Sequence, residues 1–102
     1  MFSGGDYEEV RRWVENFVTS HAKRENLRVE AVVDAEGARE GQSYGVRLRL
    51  GEALSPGAPL ELPFREVAER RGELAWCAAL AGRVRALARE FSAAPKSSSR
   101  SA

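Results

Sequence analysis

The sequence predicts one small α+β domain: an antiparallel sheet of two or three strands, in the order α-β-β-(β)-α, with two helices packed on one face. Three observations carry that expectation. Apolar residues recur at three- and four-residue spacing near the N-terminus, the period switches to two across a pair of short segments, and helical spacing then returns over a long C-terminal stretch. A chain of 102 residues builds one core, burying roughly 60–70% of the surface its unfolded form exposes. Its 43% apolar and 30% charged residues are ordinary globular composition.

The first helix should start at Asp6, because Glu9 three residues later completes a capping box and Glu8 and Glu9 suit the positive end of the helix dipole. Tyr7, Val10, Val14, Phe17, Val18 and His21 form its apolar stripe, opposite Arg11, Arg12, Glu15 and Asn16. Lys23 and Arg24 suit the negative end, so the helix is expected over about 6–24.

Leu27, Val29, Ala31 and Val33 then alternate with Arg28, Glu30, Val32 and Asp34, the period of a half-buried strand. After a loop holding Gly37 and Gly41, Tyr44, Val46, Leu48 and Leu50 alternate with Gly45, Arg47 and Arg49, which predicts an antiparallel hairpin. Closing Val33 opposite Tyr44 puts both apolar sets on one face, sets Glu30 against Arg47, and sets Arg28 against Arg49. The outer face then carries three arginines in a small area.

Ser55-Pro56-Gly57-Ala58-Pro59 is a turn by composition. Beyond it, the alternation of residues 60–64 is either a third strand, confined to an edge by Pro63, or the lead-in to a helix that Pro63 opens. Helical spacing runs over 64–91 through Phe64, Val67, Leu74, Cys77 or Ala78, Leu80 or Ala81, Val84, Leu87 and Phe91. Gly72, after Arg70-Arg71, marks either a kink in one long helix or a break between two. Residues 1–5 are expected to be a flexible N-terminus, 6–92 the domain, and 93–102 a disordered basic, Ser-rich tail with nothing to bury.

A formal net charge of +1 gives the whole molecule no general pull toward nucleic acid or anionic lipid. No apolar run reaches the ~20 residues that span a bilayer and no signal-peptide pattern opens the chain, so a cytoplasmic protein is expected. Cys77 is the one cysteine and His21 the one histidine, which supplies neither a disulfide nor a clustered metal-ligand set. There is no P-loop, dinucleotide-type glycine pattern, HExxH or nucleophile elbow. The sequence therefore implies no catalytic residue, cofactor or metal, and an enzyme is the least supported class. His21 is expected at a helix end and Cys77 as a small core hydrophobe.

Two sets of residues point to partners. Ala75, Ala79, Gly82 and Ala86 form a stripe of small side chains on the last helix, beside Trp76, and such a stripe accepts a closely approaching backbone. The backbone is either another part of this chain or a partner, including a second copy in a homodimer. Trp76, like Trp13, suits a core margin or an interaction hot spot. Arg28, Arg47 and Arg49 on the hairpin, with Arg70 and Arg71 near the helix break, are the candidates for nucleic-acid contact.

Arg70-Arg71 followed by the alanine-rich run 75–81, in this element order, loosely resembles the last-helix segment of double-stranded RNA-binding domains, which implies phosphate contact by those arginines. The likeness covers about a dozen residues. It lacks that family's lysine-rich cluster and has Leu74 and Trp76 where a polar surface is wanted, so it assigns no membership. The leading expectation is a non-catalytic interaction or self-association module, using an open sheet edge or face and the small-residue helix. Nucleic-acid binding is the alternative.

Overall fold

Residues 6–93 are described by a computed structural model. The Asp6 carboxylate accepts the Glu9 amide at 2.8 Å and opens α1 (Tyr7–Ala22). The buried stripe of α1 is Val10, Val14, Val18 and Ala22, with Tyr7, Trp13 and Phe17 packed against its margins. The helix stops two residues before the expected Arg24, where Arg24 and Glu25 turn their amides back to His21 and Ala22. The Asn26 side chain then caps the turn by accepting the Arg28 amide at 2.9 Å.

The sheet consists of β1 (Val29–Asp34), β2 (Ser43–Leu50), β3 (Ala53–Leu54) and β4 (Leu60–Pro63). Strand β2 is central: β1 pairs antiparallel with one side of it, and β4 and the short β3 pair with the other. The third strand at 60–64 thus forms as β4. Pro63 serves both expectations, closing an edge strand and standing as the N-cap residue of α2 (Phe64–Arg70).

The hairpin register differs from the expected one by two residues. Val33 faces Val46, Glu30 faces Arg49 and Val32 faces Arg47, whereas Tyr44 faces Leu62 of β4. The chain leaves β1 at Asp34 to make a 3-10 turn at Gly37–Arg39, so β2 begins beyond the end of β1 and its first residues pair only with β4. Arg28 consequently lies outside the ladder, and its expected repulsion with Arg49 does not arise. Leu27, expected among the inward residues, sits in the preceding turn and is 79% exposed.

The last helical stretch is two helices, α2 and α3 (Leu74–Ala93). Their core residues explain the break. Val67 and Ala68 are buried from α2, and Leu80, Val84 and Ala88 from α3. At about 100° per residue in one straight helix, these two sets would face nearly opposite directions. The turn through Gly72 realigns them, and the Cys77 thiol donates to the Arg71 carbonyl at 3.2 Å across it. Helix α1 lies chiefly on β1, and α3 packs beside α1 and reaches β2 more lightly. The core fills the space between these helices and Val29, Ala31, Tyr44, Val46, Leu48 and Leu62 of the sheet.

At one end, Tyr7 stacks on Tyr44 with ring centroids 4.7 Å apart, and Phe64 meets Tyr7 edge-on at 5.6 Å. The Tyr44 hydroxyl donates to the Tyr7 carbonyl at 2.9 Å, and the Tyr7 hydroxyl donates to the Ser43 carbonyl at 2.6 Å. Burial pushes the Tyr44 phenol's pKa above its ordinary range. The expectations for residues 1–5 and 94–102 lie outside the described residues, whereas Ala93, expected to open the tail, is the last residue of α3.

Candidate functional site

The small-residue stripe of α3 does not pack against α1 or the sheet. Those contacts come from the opposite flank, through Leu80, Val84 and Ala88, leaving Ala75, Ala79 and Gly82 exposed and Ala86 half-buried. A Cβ built on Gly82 meets no atom within 4 Å. Ala78 is exposed on the same helix, and Leu74 at its start is 86% exposed. From Ala75 to Gly82 this side of the helix therefore presents small side chains outward, and beyond Gly82 exposed Arg83, Arg89 and Glu90 flank it.

Trp76 borders this face. It is half-buried, its indole N–H donates to Glu66 at 2.9 Å, and its ring lies 6.3 Å from that of Trp13. Trp13 in turn stacks on Phe17 at 4.7 Å, and Phe17 contacts His21 at 4.5 Å. The α1–α3 seam is therefore a half-buried aromatic row, with α2 tied to it through Glu66. Trp76 is a structural element of that seam as well as a neighbour of the open face.

The predicted arginine set does not form one free cationic surface. On the sheet's outer face, Arg47 donates to the carbonyls of Ser55 and Gly57 at 3.1 and 2.6 Å, while Arg49 pairs with Glu30 at 2.7 Å. Near the helix break, Arg70 meets Glu73 at 3.4 Å and Arg71 meets Glu9 at 3.7 Å. Arg28 is exposed in the turn before β1. Late in α3, Arg85 and Arg89 both bond Glu25, and their hydrogen bonds hold its carboxyl below the usual range.

An unpredicted arrangement occupies the outer face next to these arginines. Asp34, Gly45 and Glu61 are cross-strand neighbours on β1, β2 and β4. The Arg39 side chain folds back from the 3-10 turn over Gly45, bonding Asp34 at 2.9 Å on one side and Glu61 at 2.9 Å on the other. A Cβ at Gly45 would stand 2.6 Å from the Arg39 guanidinium carbon. A glycine inside a strand marks close approach of another group, and this was the available signal.

Among the described residues, neither His21 nor Cys77 has a hydrogen-bonded carboxylate beside it. The His21 Nδ1 is buried without a hydrogen-bond partner among the described residues. Burial, followed by the nearby charges of Arg24 and Arg85, lowers its pKa and favours the neutral ring. The Cys77 thiol is spent on the Arg71 carbonyl. Among the described residues no group of three His, Cys, Asp or Glu side chains could hold a metal ion, and no helix is long and apolar enough to cross a membrane.

No protein-family model, curated protein or solved structure matches this chain. The functional reading therefore rests on the surfaces themselves.

Proposed function

We propose that this chain is a small cytoplasmic, non-catalytic interaction module that self-associates through the outer face of α3. The observation that carries this reading is the exposure of Ala75, Ala79 and Gly82 beside Leu74, on a helix whose opposite flank already serves the core. A helix normally turns its apolar residues toward the core and charged ones outward, so small and apolar residues left outside mark a surface that a partner covers. Trp76, at the edge of this face, supplies a large side chain of the type enriched in interaction hot spots. A second copy is the simplest occupant, because two stretches of small residues allow close backbone approach.

The test is a pair of variants, Ala79→Arg and Gly82→Arg, compared with the parent by size-exclusion chromatography with light scattering and by circular dichroism. The expected result is a folded variant of lower mass than the parent. Equal masses for parent and variants would overturn the reading. Nucleic-acid binding draws less support, since Arg47, Arg49, Arg70 and Arg71 already engage protein acceptors. That alternative predicts retained nucleic acid on purification and affinity that falls steeply with salt.

A further inference from the structure

Strand β1 ends the sheet, so one of its edges faces away from β2. The direction of its backbone groups follows from two contacts. The Ala31 amide donates to the Thr19 hydroxyl at 3.1 Å, on the side away from β2. Its partner Leu48 turns away likewise: its amide donates to the Ser55 hydroxyl at 3.0 Å, and its carbonyl accepts the Ser55 amide at 2.8 Å. Ala31 and Leu48 are thus a non-hydrogen-bonded pair, and by the two-residue alternation of an antiparallel ladder Val29 and Val33 also direct their groups to the free edge.

These edge groups are not equally available. The Val29 amide donates to the Asn26 carbonyl at 3.0 Å, and Thr19 occupies the Ala31 amide. The Val33 amide and carbonyl have no hydrogen-bond partner among the described residues. Val33 lies in the wall of an open depression of about 950 Å³ between the first turns of α1 and the chain leaving β1. That wall carries Glu8, Asp34, Glu36 and Glu40 against one cation, Arg11. Arg11 is already bonded to Glu8 at 3.0 Å, and Asp34 is bonded to Arg39 at 2.9 Å. Glu36 and Glu40 remain with no cation partner among the described residues.

We propose that this groove binds a short, extended peptide segment bearing lysine or arginine, which adds to the edge of β1 at Val33 and sets its cation against Glu36 and Glu40. Unpaired backbone at a sheet edge supplies the hydrogen bonds of strand addition, and the charge of the groove selects a basic occupant. Thr19 confines the addition to the end of β1 near Asp34, because a peptide residue opposite Ala31 finds its amide taken. The site lies on the side of α1 that faces β1 and is independent of the α3 face.

The probe is a fluorescein-labelled peptide alternating valine with lysine, with a valine–glutamate peptide as control, titrated against the full chain by fluorescence anisotropy. The lysine peptide is expected to bind, and the Val33 amide to exchange more slowly with solvent in its presence. Glu36→Lys combined with Glu40→Lys should weaken binding by about tenfold or more, since exposed charges lose attraction and gain repulsion together. Val33→Pro removes the outward donor without touching the β1–β2 ladder and should abolish binding; the charge variants test the site independently should that proline disturb folding. No binding, equal binding of the glutamate peptide, an affinity unchanged by the two lysine substitutions, or an unprotected Val33 amide would each overturn the proposal.

Discussion

Gly45→Ala is expected to be more favourable when Arg39 is absent than when it is present. The backbone at Gly45 has no positive φ, so alanine is conformationally acceptable there. Taken alone, replacing glycine by alanine at a compatible site stabilises by about 0.4–1 kcal/mol, because the unfolded chain loses freedom. Space opposes that gain in the parent protein. The new Cβ would stand 2.6 Å from Arg39 Cζ and Nε and 2.8 Å from its Nη2, closer than a side-chain carbon tolerates. The guanidinium, the far end of a flexible side chain, must then shift and strain its bonds to Asp34 and Glu61. Gly45→Ala should therefore lose part or all of that gain in the parent, since partly exposed ion pairs are worth at most about 1 kcal/mol. In an Arg39→Ala background it should raise the midpoint by a few degrees, at roughly 4–8 °C per kcal/mol for a domain of this size. Urea and thermal unfolding of the four proteins, followed by circular dichroism, complete the double-mutant cycle. If Gly45→Ala has the same effect in both backgrounds, the guanidinium does not dictate the glycine.

Three further outcomes are expected. Leu48→Ala, at a fully buried position of the central strand, should cost about 2–5 kcal/mol in urea unfolding, whereas Leu27→Ala, at an exposed turn position, should stay within about 0.5 kcal/mol. Tyr44→Phe removes the hydroxyl that bonds the Tyr7 carbonyl and should cost about 0.5–1.5 kcal/mol, with the ring stack and near-UV spectrum otherwise retained. His21 has a folded-state pKa below its unfolded value, so its contribution is fully present above about pH 6.5 and is lost as pH falls through the folded value. His21→Gln should flatten stability against pH in that window. Glu25 and Glu61, both held low by arginine hydrogen bonds, should give a second decline that begins as pH falls into the ordinary glutamate range and is completed as it passes through their folded values.

Local chemistry made most of the fold legible. The Asp6–Glu9 spacing and the Val10, Val14 and Val18 stripe place α1 because capping and burial act within a few turns of one helix. The alternation that places β1 and β2 is equally local. The register is not legible in the alternation because it depends on the path of the intervening loop: the chain makes a 3-10 turn at Gly37–Arg39, and the first residues of β2 pair only with β4. The break at Gly72 stayed open between two readings because it depends on which faces of α2 and α3 meet the core, a tertiary matter. The small-residue stripe of α3 was legible as a pattern, but its direction outward was not, since apolar residues flank it on both sides along the helix. The groove beside β1 left no motif, because its walls come from α1, from the strand end and from the loop after it.

The most direct test of the self-association reading is the mass of the untagged chain by light scattering, from micromolar to near-millimolar concentration. The open α3 face predicts a species approaching twice the 11.2 kDa chain mass at the upper end, dissociating on dilution and absent in Gly82→Arg. A mass of one chain across the whole range, in parent and variant alike, would contradict it.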